Sequence, residues 1–179
     1  MAASRLNPSL FDKLVADLEM EGLRESDANM QSATEANRST MRFYTVPRIE
    51  RFNETALRAT VRRELNWILN TTNLESVQDL DAYPEVKVSV VNYGVRDLAG
   101  KTLSSRVVQS RARQIRDAIR VFEPRMDPRH LEVVPMATGE RENAVTYVIR
   151  GDITAAVQAM PVEFKTDVEL DTAAVTLRE

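Results

Sequence analysis

Two stretches of the chain carry apolar residues at helical spacing. Between Asn53 and Asn70, Leu57, Val61, Leu65, Ile68 and Leu69 fall on one stripe, which predicts an amphipathic helix capped by Asn53 or Thr55. Trp67 lies off the centre of that stripe, where its ring either widens the buried face or sits half exposed at its edge. Internal packing is the expectation for an aromatic residue at such spacing. Further on, Val108, Ala112, Ile115, Ile119 and Phe122 recur at intervals of four and three, predicting a second long helix capped by Ser104 or Ser105. Arg106, Arg113 and Arg120, spaced by sevens, point the other way, with Arg116 on the flank and Asp117 interrupting the positive charge. Pro124 disfavours helical geometry at Glu123 and has no N–H to donate, so this helix should end near Phe122.

Beyond Pro124 the period changes to two. Leu131 to Val134 reads as a first strand, Thr138-Gly139 as a turn, and Ala144 to Ile149 as a second strand with Val145, Tyr147 and Ile149 on one side. Gly151-Asp152 suggests a bulge before Ile153, Ala155 and Val157 continue the alternation. A third strand is expected over Val162 to Leu170, with Val162, Phe164, Thr166, Val168 and Leu170 inward and Glu163, Lys165, Asp167 and Glu169 outward. Leu74 to Gly100 is ambiguous: Val86, Val88 and Val90 alternate as a strand would, while Gly94, Gly100 and Asp97-Leu98-Ala99-Gly100 mark turns. The pattern implies an α+β fold, two long helices packed on a small, mainly antiparallel β-sheet.

Upstream, Ser9 can cap a short helix whose third position is Asp12 and whose stripe is Leu10, Phe11, Leu14 and Leu18. So brief a helix must dock that stripe, either on its own domain or on another subunit. Residues 21–42 are polar and read as a linker. Phe43, Tyr44, Val46 and Pro47 mark the return to the domain, giving a docking helix over 1–20, a linker over 21–42 and an α+β domain over 43–179.

Composition narrows the chemistry. The chain has 179 residues, 24 Lys and Arg against 27 Asp and Glu, no cysteine and one histidine. Disulfides, thiol catalysis and thiolate metal sites are excluded, and triads or multi-histidine metal sites are nearly so. No cofactor, metal or catalytic residue is expected. The N-terminus has no apolar signal core and no apolar run is long enough to cross a bilayer, which reads as a cytoplasmic protein without direct membrane contact. Charge is uneven, with seven arginines between Arg106 and Arg129 and an acidic excess from Val162 to Glu179. Such opposite patches suit assembly between neighbours, or are merely solvated faces.

Two other functions fit these residues less well than assembly. A glycosidase would need Glu123 and a second carboxylate such as Asp127, one of them held protonated, but Arg125 and Arg129 favour ionised carboxylates. Nucleic-acid binding by the arginine row lacks interleaved aromatic residues and sits in an acidic chain, so no nucleic-acid partner is expected.

Several segments together carry a family resemblance. Ile115 to Arg125 (Ile-Arg-Asp-Ala-Ile-Arg-Val-Phe-Glu-Pro-Arg), Val61 to Thr71 (Val-Arg-Arg-Glu-Leu-Asn-Trp-Ile-Leu-Asn-Thr) and Ser89 to Gly100 (Ser-Val-Val-Asn-Tyr-Gly-Val-Arg-Asp-Leu-Ala-Gly) resemble the sheath-initiator family of contractile injection machines. That family comprises small, lysozyme-like baseplate proteins of contractile-tail phages and their type VI secretion counterpart, TssE. Ser9 to Val15 resembles the secretion branch. The resemblance implies a structural role in a baseplate at the inner face of the cell envelope. It implies a wedge contact through Glu123, Pro124, Arg125, Arg120 and Arg116 with TssF and TssG, TssK being in the same complex. It also implies strand pairing through Val162, Glu163, Phe164, Lys165, Thr166, Asp167 and Val168 with the sheath subunits TssB and TssC. For Glu123 and Arg125 the alternative is pairing within the domain. For residues 74–100 the resemblance suggests a turn of helix or irregular backbone in place of a strand.

Overall fold

The computed structural model describes residues 6, 8–15, 52–97, 104–136, 144–154, 159–169, 172 and 174–178. The linker at 21–42, the return at Phe43 to Pro47, the turn at Thr138-Gly139, Leu98 to Gly100, Ala155, Val157, Leu18 and Leu170 lie outside them. The architecture is α+β: helices α1 (Leu10–Val15), α2 (Glu54–Leu69), α3 (Pro84–Lys87) and α4 (Ser105–Phe122), and strands β1 (Glu132–Pro135), β2 (Ala144–Ile153), β3 (Met160–Glu169) and β4 (Val175–Arg178). The chain divides into compact units at 1–63 and 64–179.

In the first unit, α1 begins as its sequence predicts. The Ser9 hydroxyl accepts from the Asp12 N–H at 3.2 Å, and Asp12 Oδ2 accepts from the Ser9 N–H at 3.2 Å and from its hydroxyl at 2.7 Å, satisfying N-terminal donors reciprocally. Within this unit the helix is held by its polar side. Leu10 and Leu14 are 72% and 68% exposed, whereas Asp12 is buried. It accepts from Arg63 Nη1 at 2.7 Å, and the Arg63 guanidinium lies 4.7 Å from the centre of the Phe11 ring. A buried charge pair and a cation–π contact thus hold α1 within this unit, while Leu10 and Leu14 stay uncovered. Asn53 is the cap of α2, its Oδ1 accepting from the Ala56 N–H at 2.9 Å.

In the second unit the four strands form one antiparallel sheet in the order β1-β2-β3-β4. Tyr147, Ile149, Phe164, Val168, Val175 and Leu177 share its buried face, as the two-residue period requires. Helix α4 buries Ala112, Ile115, Ala118 and Ile119, and Tyr147 reaches it through a hydroxyl that donates to the Val108 carbonyl at 3.4 Å. Leu65, Ile68 and Leu69 are buried, while Trp67 is only half-buried and so occupies the edge of its stripe. Ser104 caps α4, accepting from the Val107 N–H at 3.3 Å.

The structure resolves one ambiguity and corrects two expectations here. The alternating valines do not form a strand. Pro84 opens the one-turn helix α3, a 3-10 turn follows at Val90–Asn92, and Val88, Val90 and Val91 are exposed. Asn92 holds this irregular backbone by donating to the Lys87 carbonyl at 3.0 Å and accepting from the Glu75 N–H at 2.9 Å. Around it Glu75 bonds both Arg96 and Lys87, chiefly through Arg96, which lowers its pKa. No bulge interrupts β2, whose register runs unbroken to Ile153 opposite Met160. Gly151 serves close approach instead, since a Cβ there would lie 2.8 Å from Met126 Cε. Finally, Asp167 is buried, not outward. It pairs with Arg178 on β4 and accepts from the Thr146 hydroxyl at 2.8 Å.

Gly94 is under a harder constraint. Its φ is +111°, and an added Cβ would lie 2.2 Å from the Thr71 carbonyl oxygen, the acceptor for Val95 N–H at 2.9 Å. Gly94→Ala should therefore destabilise the fold by about 3 kcal/mol or more. Gly151→Ala should cost less, because a methionine methyl can swing aside. Urea unfolding midpoints of the two variants measure the difference.

Candidate functional site

The corner where α4 gives way to the sheet concentrates the charged residues singled out in the sequence. Phe122 ends the helix, and the Glu123 N–H donates to the Ile119 carbonyl at 2.9 Å. Pro124 then turns the backbone, and Met126 N–H closes the turn on the Glu123 carbonyl at 3.1 Å. Past the turn the chain runs antiparallel to the end of β2: Asp127 N–H donates to the Asp152 carbonyl and Thr154 N–H to the Arg125 carbonyl, both at 2.8 Å. The corner is thereby stitched to the sheet by backbone bonds.

Glu123 and Arg125 are paired within the chain. The Glu123 carboxylate is 0% exposed. Its Oε1 accepts from Arg125 Nε at 2.7 Å and from the Arg125 backbone N–H at 3.1 Å, while Oε2 accepts from Nη2 at 2.6 Å. Arg125 Nη2 also lies 3.1 Å from Glu64 Oε2 on α2. This is a planar, two-pronged pair of the strongest geometry available to side chains, and its burial makes each member depend on the other. The cationic partner that a carboxylate at a helix C-terminus requires is thus two residues away. Tyr93 closes the other side, its ring edge-on to Phe122 at 5.2 Å. Burial, and secondarily the charges of Glu64 and Glu123, push its phenol up to about 12.

What remains outward at this corner is Pro124, Arg120 and Arg116, the last 3.0 Å from Asp117. Asp127 is bonded by Arg129 Nε at 3.1 Å and Nη2 at 3.0 Å and by its backbone N–H at 2.9 Å, which hold its pKa below the usual carboxylate range. His130 lies 2.9 Å from Asp152 and 3.4 Å from Asp127, tying the turn to the end of β2. The glycosidase geometry fails on these facts. Glu123 is sealed from any substrate with both oxygens occupied, and Asp127 is kept ionised.

The other predicted surface, Val162 to Val168, lies in an interior strand. β2 pairs with β3 along its length, and β4 covers Lys165 to Val168. The sheet edges are β1 and β4. The outer side of β4 is blocked at Val175, where the Asn70 side chain donates to the carbonyl at 3.0 Å and accepts from the N–H at 3.0 Å, acting as a substitute strand. β4 and this cap were missed by the sequence reading. The signal was present in Val175-Thr176-Leu177-Arg178, whose alternation is that of a half-buried strand, but so short a run is weak by itself.

Arg125→Ala strands the buried Glu123 and should cost about 3–5 kcal/mol in chemical denaturation. Arg129→Ala, at a guanidinium 81% exposed, should cost far less. For the raised phenol the sign is fixed: stability is fully present below pH ~10 and is lost as pH rises towards about 12. Tyr93→Phe should flatten that alkaline loss in denaturation curves taken across this range.

Comparison with known proteins bears on the whole arrangement. No curated protein matches the chain. A family match spans residues 55–159, which takes in most of α2, the Gly94 turn, α4, the Glu-Pro-Arg corner and β1 and β2. On that match, covering more than half its length, the chain belongs to the family described as baseplate wedge protein gp25.

Proposed function

We propose that the chain is a structural baseplate subunit of a contractile injection machine of the type VI secretion kind. It docks on the wedge subunits TssF and TssG, in a complex with TssK, at the inner face of the cell envelope. It then starts the sheath of TssB and TssC by strand pairing. Membership of the baseplate wedge family supports the setting, and no described helix is long and apolar enough to cross a membrane.

The observation that carries the strand-pairing step is the unequal length of β3 and β4. Glu169 N–H donates to the Ala174 carbonyl at 2.9 Å, so alternate residues of β3 counted from Glu169 turn their backbone groups towards β4. Glu163 belongs to that set, yet β4 ends at Arg178 opposite Lys165. The Glu163 N–H and carbonyl therefore face a position beyond the end of β4 that no described strand fills. An incoming strand can continue the ladder there. Pro161, which has no N–H, limits how far, and the Arg150–Glu163 pair at 2.7 Å borders the opening. The pairing segment is thus Met160 to Phe164, with Lys165 to Val168 reached only if β4 is displaced. The other edges suit the task less: β1 has four residues and ends in Pro135, and β4 is capped by Asn70.

In the wedge contact, Glu123 and Arg125 act as an internal brace that fixes the corner, and Pro124, Arg120 and Arg116 meet the partner. Cells lacking the chain should nucleate few sheaths, and complementation with Glu163→Pro should not restore them although the variant folds, since the lost donor faces away from β2. Arg120→Glu should weaken wedge binding without changing the unfolding midpoint. Sheath nucleation at normal frequency without the chain would overturn the proposal.

A further inference from the structure

The outer face of the sheet carries a line of charge that runs towards the opening at Glu163. Glu132 of β1 stands opposite Arg150 of β2, and Arg150 stands opposite Glu163 of β3. All three are exposed, and Arg150 Nε donates to Glu163 Oε2 at 2.7 Å. Directly opposed residues share a face at a spacing of about 5 Å, so the three make a row of sign minus, plus, minus. Arg150 has a carboxylate strand neighbour on each side, whereas among the described strands Glu163 has its cation on the β2 side and nothing opposite it on the other. The Arg150 hydrogen bond holds the Glu163 carboxyl below its ordinary range, so the row ends on an ionised carboxylate and is one positive charge short. The buried face offers an incoming strand less to read: Val162 and Phe164 are 6% and 0% exposed without it, while the Glu163 side chain keeps 47% of its surface in solvent.

We infer, resting on strand addition at this opening, that the strand received beside β3 presents a lysine or arginine directly opposite Glu163, as the fourth member of the alternating row. That one charge then selects the strand and fixes its register. A carboxylate in the same place would meet Glu163 across one strand spacing and Arg150 only across two, about 10 Å, a distance at which salt screens the attraction. The cations nearby do not reverse this. Arg178 is turned to Asp167, and Lys165 lies diagonal to the fourth position, roughly 7–8 Å away against about 5 Å for Glu163. Room for a long side chain is present: a hollow of about 410 Å³ beside Glu163 has His130, Arg150, Asp152 and Pro161 among its walls, and there Asp152 is already engaged by His130 at 2.9 Å. Register follows from the two-residue period of the strand. A slip of one residue turns the cation to the buried face, and a slip of two sets it opposite Pro161 or in the row of Lys165 and Arg178.

The test uses the full chain and short labelled strand peptides of alternating valine and threonine, with lysine, glutamine or glutamate at one central position on the threonine face. Binding is read by fluorescence anisotropy, and its place by hydrogen exchange at the Glu163 amide, which faces the opening. The lysine peptide should bind ~5-fold or more tighter than the glutamate peptide, with glutamine between them, and the gap should narrow as salt rises. Glu163→Lys should reverse the order and Glu163→Gln should erase it. Glu163 is exposed, so both variants keep the fold, which circular dichroism checks. Moving the lysine by one residue, onto the valine face, should lose its advantage. Equal affinity of the three peptides for the unaltered chain, or a lysine preference that persists in Glu163→Lys, overturns the inference. If the peptides nonetheless slow exchange at the Glu163 amide, strand addition stands and the charge rule alone has failed. If no peptide binds or slows that amide, both fall.

Discussion

A buried carboxylate at a helix C-terminus sits against the wrong end of the helix dipole and away from water, two penalties that must be offset locally. In this chain Glu123 meets both through Arg125, whose guanidinium grips it two-pronged and whose backbone N–H adds a third bond. The geometry requires a tight turn between them, and Pro124 supplies it with a φ already set. Glu-Pro-Arg is therefore a unit in which each residue is there for the other two. Because Arg125 also reaches Glu64 on α2, the same pair ties the end of one long helix to the side of another.

From this brace the rest of the corner follows. With the turn held, residues 125 to 127 lie in register against the end of β2, and Met126 fills the space left by Gly151. β1 can then leave at the angle needed to pair with β2, so the direction of α4 relative to the sheet is set by bonds within a few residues of Pro124. A surface whose shape must match a large assembly benefits from such rigidity. The residues that confer it are largely buried, and Pro124 and the exposed arginines of α4 sit just outside them.

The sheet shows the same division between support and contact. Its edges are protected by different means: a proline on β1 and a side-chain amide standing in for a strand on β4. The stretch around Glu163, past the end of β4, turns its backbone groups to a position that no described strand fills. The pair between buried Asp167 and Arg178 clips the short β4 in place along Lys165 to Val168.

Much of the fold was legible because periodicity is a local consequence of burial on one face. The stripes of α2 and α4, the caps at Ser9, Asn53 and Ser104, the stop before Pro124 and the alternation in β2 and β3 are all written in neighbouring residues. What tertiary structure decided concerns partners far apart in the chain. Asp12 is buried and Leu10 exposed because Arg63 lies opposite, a pairing no local pattern announces. Val86, Val88 and Val90 alternate like a strand but have no strand beside them, and Asn92 and Glu75 satisfy that backbone otherwise. Asp167 looks outward by period yet is covered once Arg178 arrives on β4. Whether β3 was an edge depended on four residues near the end of the chain. Hydrophobic period reports which face is covered, whereas charge pairing and strand order depend on what does the covering, and only three-dimensional closure supplies that.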